Sequence, residues 1–454
     1  MRSETGFSIH CRKKQQSEVY ALVKQSTDDP HPVKIYVELT TRCNLHCRMC
    51  VKYAAGSCIV EEDLPFAAFK SLSPSLANTR TLILNGIGEP LLHPELEEII
   101  RFARAKMTPE AIIGFQSNGI LLDREKSLRL ISAGLSTVCL SLDSLEDTAA
   151  DQAGGHSVAA VSRAIACLVA AKKTAGASHF RIGLEMVLTK RSIGDLPRFV
   201  QWAADHGADY VIATHLLLYD RSSEGLSLFN PNSAEAVQLF NTYNERAAAQ
   251  GINLANCLST YLKFTKTEAD QAVVQLFQEL QQEARDKDIR LHLRSLLDYT
   301  PGDAEMLDQV FADGRSVAAR NGIELFLPPH QALSERSCPF ITDQTVFIAA
   351  SGAVMPCHFL WHTYSCRVLG EEVQVQQCDF GTIREQPLEA VWQNPEYVRF
   401  RQEAGRYEYS SCWSCSLGPC AALVNDNILS AHDCYGSQVP CGHCQWNLGG
   451  IRCL

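Results

Sequence analysis

Cys43, Cys47 and Cys50 fall within eight residues of one another, in the run Val37-Glu38-Leu39-Thr40-Thr41-Arg42-Cys43-Asn44-Leu45-His46-Cys47-Arg48-Met49-Cys50. Thiolates at that density are ligands of a metal ion or of an iron–sulfur cluster. A structural zinc asks for four ligands in paired spacing, and no neighbouring Cys-x-x-Cys completes this set. Cys58, eight residues past Cys50, fits neither pattern. A 4Fe–4S cube has four irons, so three local thiolates leave one iron open to a further ligand.

Cysteine is the departure in an otherwise ordinary composition of 46% apolar and 20% charged residues. Of nineteen cysteines, eleven lie between Cys338 and Cys453. Cys11, Cys58, Cys139, Cys167 and Cys257 are scattered and read as small buried hydrophobes. The polar start, Met1 to Lys14, carries no apolar signal stretch, and no run is long enough to span a bilayer. Cytoplasm is the expected location, where thiols stay reduced and serve metals rather than disulfides. A formal net charge of −10 argues against nucleic acid or a membrane surface as partner.

The elements that must position these thiols follow from hydrophobic patterning. Strands are expected at Val33–Thr40, Arg80–Asn85, Ala111–Ser117, Thr137–Leu142, Arg181–Leu188 and Tyr210–Leu217. Helices such as Pro94–Ala105, Arg124–Ala133 and Ile193–His206 lie between them. Six successive β–α units predict an α/β protein whose parallel sheet closes into a barrel or partial barrel. Chemistry in such barrels gathers at the C-terminal strand ends, and the three cysteines follow the first strand. The expected organisation is an N-terminal extension, 1–30, a barrel core, 31–220, a helical spacer completing the barrel, 221–335, and a cysteine-rich domain, 336–454. In the spacer, Ala248–Leu254, Ala284–Leu291 and Ala318–Leu325 resemble one another, each reading as a helix end turning into a short strand. One further helix is expected near Pro387–Ala404.

The C-x-x-x-C-x-x-C spacing at the end of a first strand is the signature of the radical S-adenosylmethionine superfamily, which this chain resembles. Asn85-Gly86-Ile87-Gly88-Glu89-Pro90 is similar to the family's Gly-Gly-Glu-Pro motif at the second strand end, and Gln116-Ser117-Asn118-Gly119 to its Ser/Thr-Asn-Gly at the third. The resemblance implies a partial (β/α)6 radical SAM barrel with S-adenosylmethionine (SAM) on the open iron. That cluster would cleave the sulfonium to a 5′-deoxyadenosyl radical. Gly86, Gly88, Glu89, Asn118, Ser141, Asp143 and Glu185 would contact SAM, and Met49 would pack on its adenine. Thr189 is a weaker contact candidate. His215, at the end of the sixth strand, is the acid/base candidate.

Cys338-Pro339-Phe340, Gly352, Cys357, Phe380-Gly381-Thr382-Ile383, Leu388-Glu389-Ala390-Val391-Trp392, Cys412-Trp413-Ser414-Cys415 and Cys420 follow the order of the SPASM domain, which holds auxiliary 4Fe–4S clusters. The resemblance implies one or two such clusters. Cys412, Cys415, Cys420 and Cys434 form one expected set, and Cys338 and Cys357 share another with members of Cys441, Cys444 and Cys453. Val424 stands where the family continues with cysteine. A zinc site from Cys412, Cys415, Cys441 and Cys444 is the competing arrangement. His358, His362 and His443 read as structural histidines.

Asp433–Trp446 and Cys357–His362 are most similar to a SPASM subgroup of metalloenzyme maturases, related to the radical enzymes that accompany tungsten-containing aldehyde oxidoreductases. The implied substrate is a protein, peptide or metallocofactor, with ferredoxin or flavodoxin as electron donor. A peptide cross-linking enzyme is the alternative, although the thirty-odd residues before the first strand are fewer than a leader-peptide-binding domain needs. A non-catalytic electron-transfer or cluster-carrier protein is the third reading.

Overall fold

The computed structural model describes residues 30–54, 56–146, 157–297, 301–368, 371–406, 441, 444–452 and 454. Its centre is a nine-stranded sheet. The first six strands are β1 (Lys34–Val37), β2 (Thr81–Ile83), β3 (Ile112–Ser117), β4 (Thr137–Ser141), β5 (Arg181–Leu188) and β6 (Tyr210–His215). They pair in sequence order and parallel, as successive β–α units require. Helices α1 (Leu96–Lys106), α2 (Arg124–Ser132), α3 (Val158–Thr174) and α4 (Leu196–Asp205) connect them. The helix α2 starts where the Asp123 side chain accepts from Lys126 N, and α3 where Ser157 accepts from Ala160 N.

Three short strands extend the expected six. β7 (Glu324–Phe326) lies parallel to β6, and β8 (Thr345–Ile348) parallel to β1, with β9 (Val354–Met355) antiparallel beyond it. The sheet is therefore open, with β7 and β9 as its edges. Runs of two to four residues carry too little alternation to be told from turns in the sequence. The cysteine-rich region thus begins inside the barrel sheet, and its hairpin β10 (Tyr364–Val368) and β11 (Glu371–Val375) forms a separate ladder.

Alternation sorts the strand residues between two cores. Ile35, Val37, Leu82, Leu84, Ile113, Phe115, Val138 and Leu140 pack under the helices. Tyr36, Ile83 and Phe347 face the lumen with Phe340, Phe359, Cys366 and Cys444.

Between β6 and β7, helices α5 (Ala234–Ala249) and α6 (Glu268–Asp286) enclose a core of their own, built on Phe240, Tyr243, Phe277 and Leu280. Helix α7 (Pro301–Asn321) returns to the barrel beside α4. The three similar stretches share a helix stop rather than a strand. Gly251, Asp288 and Gly322 have φ of +70°, +52° and +65°. The following Ile252, Ile289 and Ile323 amides donate back to Ala247, Ala284 and Ala318 at 2.8, 2.8 and 3.2 Å. Only the third continues into a strand, β7. The expected helix at 387–404 is two helices, α8 (Leu388–Trp392) and α9 (Pro395–Arg406), broken where Pro395 removes an amide donor. Among the described residues no helix is long and apolar enough to cross a membrane.

The lumen floor depends on Gly183. A Cβ there would lie 2.1 Å from the Tyr210 ring, which reaches across β5 to a 2.8 Å hydrogen bond with Thr137 Oγ1. Gly183→Ala should destabilise the fold by about 1–3 kcal/mol, because the buried ring has to shift. A denaturant midpoint measured anaerobically against wild type checks this.

Candidate active site

The thiol loop is held by the segment that follows it. Thr40 Oγ1 donates to Asp63 Oδ1 at 2.6 Å, and Arg42 Nε donates to the same oxygen at 3.0 Å. Thr41 Oγ1 donates to Val60 O at 2.7 Å, and Lys52 Nζ reaches Thr41 O at 2.9 Å. Tyr53 OH donates to Leu45 O at 3.0 Å while its ring stacks on His46. Cys43 Sγ accepts from Leu45 N at 3.4 Å, and Cys50 caps a single 3-10 turn, Val51–Tyr53. Burial pushes the Cys43 and Cys50 thiols up, and the Lys52 ammonium pulls both down towards the thiolate that a metal needs. Cys47 is exposed, and Met49 is half-buried beside Cys50.

Glu89 joins the strand ends. Its Oε1 accepts from Ser117 Oγ at 2.8 Å and Leu91 N at 3.1 Å, and its Oε2 from Asn118 N at 2.9 Å. Its own amide donates to Arg42 O at 2.8 Å. Asn118 Nδ2 then donates to Asn44 Oδ1 at 2.8 Å, inside the thiol loop. Burial pushes the Glu89 carboxyl up, and three donors hold it back. The glycines beside it set the approach of the backbone. A Cβ on Gly88 would lie 2.2 Å from Thr40 O, and one on Gly86 2.2 Å from Glu38 Cγ.

Across the lumen mouth runs a polar layer. Gln116 N donates to Asn85 Oδ1 at 2.6 Å, and Gln116 Nε2 to Ser141 Oγ at 3.1 Å. Asp143 Oδ1 accepts from Val187 N at 3.1 Å. Among the described residues Glu185 Oε2, sealed from solvent, has no hydrogen-bond partner. Burial, then the Asp143 charge, pushes the Glu185 carboxyl up to about 8. Thr189 is instead spent on a local turn, 2.9 Å from Ser192 Oγ.

His215 does not face an open mouth. It is 2% exposed, its Nε2 lies 2.9 Å from Pro329 O, its ring packs on Phe229, and its amide donates to Gly450 O at 3.3 Å. Burial pulls it down to about 4, so it is neutral near neutrality.

The second thiol group gathers from distant segments. Cys444 is buried in the lumen-side core, and Cys338 and Cys357 pack against that core. Burial pushes Cys338 up to about 11 and Cys444 up to about 12, and Cys357 well above its ordinary value. After burial, Cys357 is raised by Cys444 and Cys338, so the three thiols lie within electrostatic reach. Cys441 packs, as Cys338 does, against Ile341 and Ala404. Ser337 N donates to Asn447 O at 3.2 Å, and Phe359 meets Trp446, which ties the loops together. Cys412, Cys415, Cys420, Cys434, Cys453 and His443 lie outside the described residues. Among the described residues no three His, Cys, Asp or Glu side chains converge as on a single ion, whereas a cube spreads its thiolates over separate corners.

Residues 37–201 match the Radical SAM superfamily, and residues 338–416 an iron–sulfur cluster-binding domain, SPASM. This chain is a radical SAM enzyme. It is 25% identical over 423 residues to the tungsten-containing aldehyde ferredoxin oxidoreductase cofactor-modifying protein of Pyrococcus furiosus, across 92% of this chain and 96% of that one. It is 28% identical over 192 residues to PqqA peptide cyclase of Gluconobacter oxydans, 41% of this chain and 50% of that one. Streptococcus suis SuiB bound to S-adenosylmethionine has the same fold, with a TM-score of 0.50 and 14% identity over 92% of this chain and 77% of that one.

The residues present fit both cofactors of a radical SAM enzyme. Gly86 and Gly88 let the loop backbone press directly onto Glu38 and onto the Thr40 and Arg42 carbonyls of the thiol loop, and Glu185 Oε2 has no hydrogen-bond partner among the described residues. When bound, a 4Fe–4S cluster carrying SAM supplies the electron that breaks the sulfonium C–S bond. Glu38, Arg42, Lys52 and Asp63 were absent from the expected site. Only Glu38 left a signal, as a carboxylate at the end of an apolar strand.

Glu185 supplies a prediction with a definite sign. Its folded value of about 8 lies above the ordinary 4.5, so between these the folded chain keeps a proton that the unfolded chain has lost. Stability of the ligand-free protein from this group therefore falls as pH rises through that window. Glu185→Gln should gain stability relative to wild type as pH rises across it, yet bind SAM about tenfold more weakly. Paired pH-denaturation series and SAM titrations measure the two effects.

Proposed function

We propose that this enzyme reductively cleaves SAM and uses the resulting radical to modify a metal cofactor or the protein that carries it, as a metalloenzyme maturase. The observation that carries the proposal is the end-to-end match to the cofactor-modifying protein of Pyrococcus furiosus, 92% of this chain against 96% of that one. The match to PqqA peptide cyclase spans half of that protein and supports shared radical chemistry rather than a shared substrate. Peptide modification is the second reading, favoured by that match.

In this reading Cys43, Cys47 and Cys50 hold the SAM-binding cluster. Cys338, Cys357 and Cys444, with Cys441 beside them, hold an auxiliary cluster, and Cys412, Cys415, Cys420 and Cys434 hold a second. A ferredoxin or flavodoxin in the cytoplasm delivers the electron.

Anaerobically reconstituted protein should carry about twelve irons per chain. With dithionite and SAM it should release 5′-deoxyadenosine. Cys444→Ala should lose about four irons and retain SAM cleavage, whereas Cys43→Ala should lose cleavage. About four irons in the wild type, with zinc bound, rejects the auxiliary clusters; no 5′-deoxyadenosine rejects the enzyme. Mass spectrometry of what co-purifies from an anaerobic host separates an oxidoreductase or its cofactor from a short peptide.

A further inference from the structure

Glu38 is fully buried, and the His362 imidazole meets its carboxylate, with no lysine or arginine in contact among the described residues. Its carboxylate receives three donors from three parts of the chain. Ile87 N, in the glycine-rich loop after β2, donates to Oε1 at 2.8 Å. Ala350 N, in the turn between β8 and β9, donates to Oε2 at 3.2 Å. His362 Nε2, from the loop that begins at Cys357, lies 3.2 Å from Oε2 and 3.3 Å from Oε1. The Gly86 backbone rests on the Glu38 side chain so closely that a Cβ would overlap it.

A carboxylate sealed from water has to be satisfied by all of its donors, because a lost partner leaves charge uncompensated. If the Gly86–Gly88 loop moves, the acceptor of His362 and Ala350 moves with it. Trp361, next to His362, packs on His358 and Phe347, so that displacement reaches the wall on which Cys357 stands.

We infer that Glu38 and His362 are a positioning pair that couples occupancy of the SAM site to the loop carrying the auxiliary cysteine Cys357. The inference rests on the reading of Gly86–Gly88 as part of the SAM site. Coupling of this kind is reciprocal, so a change at the Cys357 loop also alters SAM affinity. The role is distinct from ligating either cluster, since neither side chain belongs to a thiol set.

Hydrogen exchange of the reconstituted holoenzyme, with and without SAM, tests the pair. SAM should slow exchange in residues 84–91, and in residues 349–366 by at least about fivefold, the lower end of ordinary coupling. In His362→Leu the first protection should persist and the second should vanish, with SAM affinity reduced by the same factor. Should His362→Leu fail to take up iron, Glu38→Gln, nearly identical in shape, carries the same test. Protection of 84–91 without 349–366 in the wild type overturns the inference, as does undiminished protection of 349–366 in the variant. Protection of neither segment, with no 5′-deoxyadenosine formed, overturns the SAM site itself and the inference with it.

Discussion

At the C-terminal edge of the sheet, the loops after β1, β2 and β3 meet on the Glu89 carboxylate. Its charge is buried, which costs several kcal/mol unless donors surround it. Ser117 Oγ, Leu91 N and Asn118 N do so, and Asn118 passes the constraint to Asn44 between the first two thiol ligands. The order of the loops follows from that satisfaction. A cube needs its thiolates at fixed corners, and SAM needs a backbone that approaches closely. Both demands are met by loops that cannot move independently. The stiffness also explains why the glycines matter there, since Gly88 is pressed on the Thr40 and Arg42 carbonyls by the same network.

The second thiol group is built on the opposite principle. Cys338, Cys357 and Cys444 sit in apolar surroundings that disfavour the thiolate, and nearby thiols disfavour it further in Cys357 and Cys444. Without metal they are neutral hydrophobes filling the lumen-side core with Phe359, Cys366 and Trp446. Loading a cluster there has to expel protons, and iron–sulfur bonding offsets that cost. The first thiol loop, by contrast, has Lys52 beside it, 2.9 Å from the Thr41 carbonyl, and Cys47 in solvent. One group is poised for exchange with solvent and SAM, the other for burial.

Much of this was legible in the sequence because it is local. The six central strands lie within the expected ranges, since each combines an apolar run with turn residues at its end. The strand-end motifs carried Gly86, Glu89 and Asn118 with them. Residues whose roles depend on distant partners were hidden. Nothing near Asp63 marks it as the anchor of Thr40 and Arg42, because its partners lie more than twenty positions earlier. His362 read as structural until the fold brought it to Glu38, 324 residues away. His215 pointed the other way. Its strand-end position suggested an open mouth, but Phe229, Pro329 and the Gly450 segment close around it.

That covering segment has a mechanical logic. An open sheet leaves its lumen unfilled unless other side chains occupy it, and a protein interior has to be close-packed. Here the run after Cys444 provides the filling. Arg452 N donates to Thr214 Oγ1 at 3.1 Å, and Leu454 packs against Cys139, Tyr210 and Ile212. The Leu454 carbonyl accepts from Lys34 Nζ at 3.0 Å and from Tyr36 OH, across 420 and 418 residues. The floor beneath the polar layer and one thiol of the second group, Cys444, therefore come from a single stretch of the chain. The segment that carries Cys444 is thereby packed into the same lumen that the polar layer covers.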